Sequence, residues 1–203
     1  MGKRKRKTKP KGQIGKEEAE NKGLPKAFVM HRGVVGKSIL QLEMDIRHVM
    51  EPNTAINLKV RKNNVLKDFV HVAGPLGITH FIIFSQTKIG SYMRIARLPR
   101  GPTLHFKIHK FSLARDVISV LKRPKTYGTQ YKHSPLMVLN DFDQTTLPMK
   151  LMTSMFQNLF PALNIQKIKL ADIRRCVLVN YNKDTNMIDF RHYQIDVAPV
   201  GMS

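Results

Sequence analysis

Few side chains in this sequence stand at spacings that catalysis requires. Gly33-Val34-Val35-Gly36-Lys37-Ser38 ends like a phosphate-binding loop, in which backbone amides cradle a nucleotide and the lysine meets its phosphates. That loop needs a glycine where His31 stands, so nucleotide hydrolysis is not expected. A milder use remains: amides at the start of a following helix, helped by Arg32 and Lys37, could hold one RNA phosphate. The competing reading is that the glycines simply make the turn into the helix. His105 and His109 would share one face of a strand, with no cysteine or carboxylate close in sequence to complete a metal site. Asp141 and Asp143 flank Phe142; a metal-dependent nuclease needs several converging carboxylates, and a turn accounts better for this pair. Cys176, among Val177, Leu178 and Val179, reads as a small core residue. Met149, Met152 and Met155 fall on helical spacing and read as core or interface. No catalytic constellation, metal site, cofactor or small-molecule substrate is expected.

What remains is charge. Lys and Arg total 35 against 14 Asp and Glu, a formal net charge of +21 over 203 residues. One cysteine excludes a disulfide scaffold and a cysteine-based zinc finger. The apolar runs are short, His80-Phe81-Ile82-Ile83-Phe84 being typical, and none reaches the ~20 residues a bilayer span requires. The basic N-terminus lacks the apolar stretch of a secretory signal, and no membrane partner is expected. The excess is concentrated: residues 52–140 hold 15 basic side chains against Asp68 and Asp116 alone, whereas 141–203 are nearly neutral with 7 basic and 6 acidic. Two carboxylates cannot neutralise that stretch. Folding gathers like charges on one surface, and a polyanion relieves the repulsion with counterion release as a further gain. A purely solubilising surface would mix both signs.

Residues 1–26 read as a disordered basic tail. Lys3, Arg4, Lys5, Arg6, Lys7, Lys9 and Lys11 have no apolar neighbour to bury and form a candidate nuclear or nucleolar address. From Phe28-Val29-Met30 the chain becomes foldable. Val35, Ile39, Leu42, Ile46 and Val49, with Lys37, Gln41, Glu43 and Arg47 between them, predict a helix over 35–50. A second helix is expected over 64–73, closed by Gly74-Pro75. Ile78 to Thr87 reads as a buried strand, Tyr92 to Leu98 as its hairpin partner, and Thr103 to Lys110 alternates as a third strand. Ser112 is a plausible cap for a third helix with Leu113, Val117, Ile118 and Leu121 inward. Residues 122–133 read as a basic linker and 136–139 as a short strand. Leu147, Leu151, Met155 and Leu159 mark a fourth helix, and Val177–Tyr181 pairs with Met187–Tyr193 in a last hairpin.

The hairpin of Ile78 to Leu98 superposes without gaps on that of Ile173 to Tyr193, at an offset of 95 residues, and a predicted helix precedes each. The expected fold is therefore α/β (α+β): two similar halves, 27–121 and 134–203, each a small mixed sheet with helices.

Two groups of segments carry a family resemblance. Arg97-Leu98-Pro99-Arg100-Gly101-Pro102-Thr103-Leu104-His105-Phe106-Lys107-Ile108 resembles the Gly-Pro-Thr segment of Brix-domain ribosome biogenesis factors. Met155-Phe156-Gln157-Asn158-Leu159-Phe160-Pro161, Asp189-Phe190-Arg191-His192-Tyr193 and the stretches from Arg47 to Ala55 and from Leu66 to His80 resemble the Peter Pan (suppressor of Swi4) branch. The resemblance spans residues 27–203. It implies a Brix domain of two pseudo-symmetric halves similar to anticodon-binding domains of class II tRNA synthetases. It further implies a non-enzymatic, nucleolar factor for large-subunit assembly and rRNA processing, with pre-ribosomal RNA and other assembly factors as partners. Members of that branch continue into a charged helical region; this chain ends at Gly201-Met202-Ser203, so a fragment, or a domain lacking its last element, is expected.

The residues expected to meet RNA follow from charge and resemblance together. Arg97, Arg100, Gly101, Pro102 and Thr103 would form a strand-to-strand loop whose arginines fork onto phosphates. Arg61, Lys62, Lys67, Arg94, Lys107, Lys122, Arg123 and Lys125 would extend the face, with Arg32 and Lys37 at the helix start. With few exposed aromatics, recognition of shape and phosphate in folded RNA is expected. The near-neutral 134–203 half would hold a protein partner. The alternative function is a nucleolar protein–protein adaptor that binds RNA only non-specifically.

Overall fold

Two separate mixed sheets organise the chain in the computed structural model, which describes residues 23–61, 64–125, 130–143, 145–163, 173–196 and 201. The targeting residues Lys3, Arg4, Lys5, Arg6, Lys7, Lys9 and Lys11, and Lys62 of the RNA set, lie outside the described residues. The first sheet has the order β1 (Ala27–Arg32), β2 (His80–Gln86), β3 (Ser91–Arg97), β4 (Thr103–Ile108). β1 runs parallel to β2, and β2, β3 and β4 are antiparallel. The second sheet has β5 (Leu136–Asn140) parallel to β6 (Arg175–Asn182), which pairs antiparallel with β7 (Met187–Gln194). The same parallel-then-antiparallel order therefore occurs twice, and the sequence echo maps β2 onto β6 and β3 onto β7.

Helices fill the connections: α1 (Lys37–Met50) and α2 (Leu66–Leu76) between β1 and β2, α3 (Ala114–Val120) after β4, and α4 (Leu147–Gln157) between β5 and β6. Burial explains the sequence pattern of the strands. β1 and β2 are apolar on both faces because both are covered, as parallel pairs usually are. One face of this sheet (Ala27, Val29, Ile82, Phe84, Ile95) packs with Ile39, Val49 and Met50 of α1. The same core continues through Met155, Phe156, Leu159 and Phe160 to Val177 and Val179 of the second sheet, and the Phe106 and Phe156 rings stand 5.9 Å apart. The opposite face (Phe28, Met30, Phe81, Ile83) is covered by Phe69 and Ala73 of α2. α2 covers β1 and β2 but not β4, where the outward residues Thr103, His105 and Lys107 are exposed.

Four expectations need correction. α2 does not stop at Gly74-Pro75. It runs to Leu76 and closes at Gly77, whose left-handed backbone (φ 68°) lets the Ile78 amide reach Ala73 O at 2.9 Å and the Gly77 amide reach Gly74 O at 3.0 Å. Ser112 is not the α3 cap: Leu113 holds that position, and the Asp45 carboxylate accepts the Ala114 amide at 2.9 Å. Of the residues expected inward on α3 only Leu113 is buried; Val117, Ile118 and Leu121 are exposed. On α4 a strict four-residue series drifts about 40° per step and leaves one face. Leu147 is accordingly exposed, whereas Met149, Thr153, Met155 and Phe156 face the core.

Three buried charges were not legible as such. Glu43 and Arg47, interleaved with the apolar positions of α1, are buried and paired with each other. His31 Nδ1 lies 2.7 Å from Glu43 Oε2, and Arg47 Nε donates to Val29 O at 3.1 Å. Arg175, 2% exposed, fastens the second sheet to the first unit. Its Nη1 donates to His48 O and Val49 O, both at 3.1 Å, and its Nη2 to Glu51 O at 2.7 Å and His133 O at 2.8 Å. Three of these acceptors, the carbonyls of His48, Val49 and Glu51, lie at the C-terminal end of α1, where a helix leaves its last carbonyls short of partners. The guanidinium also stands 4.8 Å above the Tyr131 ring.

Candidate nucleic-acid interface

The uncovered part of the four-stranded sheet carries the clearest cationic surface. Register places Arg32, Ser85, Tyr92 and Lys107 in one cross-strand row of this outer face, and Met30, Ile83, Arg94 and His105 in the next. Adjacent strands lie about 4.8 Å apart, and diagonal neighbours such as Arg94 and Lys107 have Cα atoms about 7–8 Å apart. Arg32, His105 and Lys107 are exposed; Tyr92 and Arg94 are half-buried. Lys107 Cε lies 3.6 Å from where a Cβ on Gly90 would stand, so its stem runs along the β2–β3 turn.

Among the described residues, none of the four strands brings a carboxylate to this face. Of the two acids in residues 52–140, Asp68 accepts the Val65 amide at 2.9 Å and Asp116 pairs with Arg115 at 3.4 Å. Among the described residues, Arg32, Lys37, Arg94, Arg97, Arg100 and Lys107 form no salt bridge. Burying the uncharged partners of the sheet while leaving its cations outside produces an electropositive platform about two strands wide.

The loop Arg97–Pro102 closes β3 onto β4. Arg97 N donates to Pro102 O at 3.1 Å, Gly101 N to Arg97 O at 3.0 Å, and Leu98 N to Thr79 O at 2.8 Å. A Cβ on Gly101 would meet Arg97 Cβ at 2.6 Å and Arg97 O at 2.9 Å. Glycine is thus demanded by the loop's own arginine. Arg97, Arg100, Gly101 and Thr103 are exposed.

The expected residues do not form a single cluster. Arg97 pairs with His80 at one end of β3, and Tyr92 lies five residues away toward the other, about 17 Å along an extended strand. Arg97 also has the parity of Met93 and Ile95, opposite to Arg94. Thr103 shares the outer face with Lys107 but sits at the loop end. Lys37, the first residue of α1, is exposed near the Arg32 end. The Gly36 amide there is already taken by Gln86 Oε1 at 2.7 Å, and Gly33 has φ 79°, so those glycines serve the turn. Arg61 and Lys67 are exposed beside and on α2; Lys122 and Arg123 are exposed beyond α3. Lys125 binds Asp196 Oδ2 at 2.5 Å. Tyr92 and His105 were missed as members of the platform, although the alternation of Tyr92 and Arg94 against Met93 and Ile95 already placed them on one side.

Other groups have structural employment. Asp141 adopts φ 59° and accepts from Asn140 Nδ2 at 2.7 Å, while Asp143 accepts the Thr145 amide at 3.2 Å, as turn-forming aspartates do. They line an open cavity of about 510 Å³ with Lys183, 3.9 Å from Asp143. His109 lies one residue beyond the end of β4, whereas His105 stands within it. Burial pushes the half-buried Cys176 thiol above its ordinary pKa. Burial, aided by the Arg97 charge, lowers the His80 pKa to about 4. Among the described residues no three His, Cys, Asp or Glu side chains converge, and no helix is long and apolar enough to cross a membrane.

A Brix-domain family model matches residues 33–202. The chain belongs to the Brix-domain family. It is similar to the Suppressor of SWI4 1 homolog of Homo sapiens, at 53% identity over 179 residues covering 88% of this chain and 38% of that protein. It is similar also to a Peter Pan-like protein of Arabidopsis thaliana, at 49% identity over 89% of this chain and 52% of that protein. A ribosome biogenesis protein of Saccharomyces cerevisiae is 41% identical over 218 residues, spanning 100% of this chain and 48% of that protein. The chain thus spans about half or less of the length of these relatives. A crystal structure of a probable ribosomal biogenesis protein from Aeropyrum pernix K1 shares the fold, with a TM-score of 0.56 at 11% identity over 84% of this chain and 89% of that one.

Proposed function

We propose that this Brix-domain chain is a non-enzymatic RNA-binding assembly factor for the large ribosomal subunit, acting on pre-ribosomal RNA in the nucleolus. The carboxylate-free outer face of β3 and β4, with Arg94 and Lys107 at its centre and Arg32 at its edge, is the observation that carries this reading. The relatives named for ribosome biogenesis supply the biological setting. Arg97 and Arg100 extend the contact around the loop end, about 10 Å along β3 from Arg94, so an RNA that wraps the β3–β4 end would meet them after leaving the outer face. Shape and phosphate are recognised, and Tyr92 is the aromatic available on that face. The basic residues 3–11 serve as nuclear address, as auxiliary phosphate contacts, or both. The near-neutral 134–203 half binds another assembly factor.

Charge reversal tests the division. Arg94→Glu with Lys107→Glu is expected to abolish specific binding to large-subunit precursor RNA while leaving the fold intact, because neither side chain is buried. Unchanged RNA affinity, measured by filter binding with purified protein, overturns the platform. The exposed aliphatics of α3 keep the protein-adaptor reading alive in one respect: RNA cannot satisfy them.

A further inference from the structure

α3 is amphipathic, yet its apolar side faces outward. On a helical wheel Leu113, Val117, Val120, Leu121 and Ile118 occupy one arc of about 160°, with Arg115, Asp116 and Ser119 opposite. Leu113 is buried and anchors the base of the arc. Val117, Ile118 and Leu121 are about half exposed, Val120 is 83% exposed, and Phe111 nearby is exposed as well. No residue of the helix itself is buried. The Asp45 carboxylate on the Ala114 amide fixes the helix start beside the buried Leu113 but covers none of the outward stripe. A helix of seven residues gains little from propensity alone, so such a stripe calls for a packing partner.

The surroundings specify the chemistry of that partner. Residues 110–125 hold Lys110, Arg115, Lys122, Arg123 and Lys125 against one carboxylate, Asp116. Asp116 is engaged by Arg115, and Lys125 by Asp196, which leaves Lys110, Lys122 and Arg123 on the rim. A phosphate chain would meet the rim but give the aliphatics nothing. A second copy would bring another +21 charge, and residues 1–22 of this chain carry nine basic side chains against three acidic. Both are repelled. A protein helix with apolar residues at three- and four-residue spacing, flanked by Asp and Glu, satisfies stripe and rim together.

We propose that α3 and its flanks, residues 110–123, are a docking surface for an acidic amphipathic helix of another protein. This surface is separate from the β3–β4 platform and does not depend on the RNA reading.

The test places the photo-reactive residue p-benzoylphenylalanine at Val120 of the full chain in cells, with the adducts digested and the joined peptide sequenced. The expected adduct is a peptide of a different protein with net negative charge and apolar residues at helical spacing. Val117→Asp with Leu121→Asp is expected to lower its yield about tenfold, the loss of ~1.4 kcal/mol of binding. RNA affinity and melting temperature should stay within error of the unmodified chain, because both side chains are exposed. An adduct to RNA, to this chain itself, or to a basic or uncharged peptide overturns the proposal, and so does the absence of any adduct.

Discussion

Arg175→Ala should loosen the whole molecule, because one side chain closes the C-terminal end of α1 and ties it to the second sheet. Four hydrogen bonds would be lost, two at 3.1 Å, one at 2.7 Å and one at 2.8 Å, along with the contact over the Tyr131 ring. At a net ~1 kcal/mol per bond and ~0.5–1 kcal/mol for the ring contact, the cost is about 4–5 kcal/mol. For a domain of this size each kcal/mol moves the melting temperature by about 2–4 °C, so a fall of roughly 8–20 °C is expected. Arg175→Met refills most of the volume without donors and separates packing from hydrogen bonding; it should recover only ~1–2 kcal/mol. Urea denaturation of both variants at neutral pH, with scanning calorimetry beside it, reads the difference. An Arg175→Ala protein within about 1 kcal/mol of the parent would refute the clasp. A methionine variant as stable as the parent would show that packing rather than carbonyl capping holds the two units together.

Three further outcomes follow from particular contacts. Gly101→Ala drives a Cβ to 2.6 Å from Arg97 Cβ and 2.9 Å from Arg97 O, so it should cost about 1–3 kcal/mol and weaken RNA binding through a displaced loop; an unchanged melting temperature would refute this. His80, buried with a pKa of about 4 against 6.5 when unfolded, binds its proton more readily in the unfolded chain. Its contribution is present above pH 6.5 and is lost as pH falls toward 4, up to ~3 kcal/mol. His80→Leu should therefore flatten the acid limb of a pH–stability curve, and an unaltered limb would contradict the assignment. If about six phosphates are contacted, RNA affinity should fall roughly 10³-fold between 50 and 200 mM salt, and neutralising Arg94 and Lys107 should reduce the slope of log K against log salt by about 1.5; a flat response removes the electrostatic face.

Periodicity made much of the fold legible. α1, β2, β3, β4, β6 and β7 all lie where their apolar spacing predicts, within a few residues. β1 was not legible as a strand, because it is buried on both faces and Phe28-Val29-Met30 has no alternation to betray it. The end of α2 was misplaced because Gly74-Pro75 looks like a stop, whereas the left-handed backbone that ends the helix is supplied by Gly77. Glu43, Arg47 and Arg175 read as solvent-facing charges; only the carbonyls and carboxylate around them explain their burial. The individual cations of the platform could be named from charge density. Their grouping was only half legible: alternation along β3 already sets Arg94 and Arg97 on opposite faces, but which β4 residues stand beside Arg94 depends on the register that pairs it with His105 and Tyr92 with Lys107. The outward stripe of α3 shows the converse limit. The spacing of Val117, Ile118 and Leu121 was sound, but periodicity reports an apolar face without saying whether the chain itself or another molecule covers it.

Ultraviolet cross-linking in cells, with sequencing of the bound RNA and mapping of the joined amino acids, tests the central claim most directly. The account predicts reads concentrated on large-subunit precursor RNA and cross-links within Ser91–Ile108, Tyr92 foremost among them. Diffuse reads, or cross-links confined to residues 1–26, would contradict it and leave the folded domain a protein adaptor with a non-specific charge.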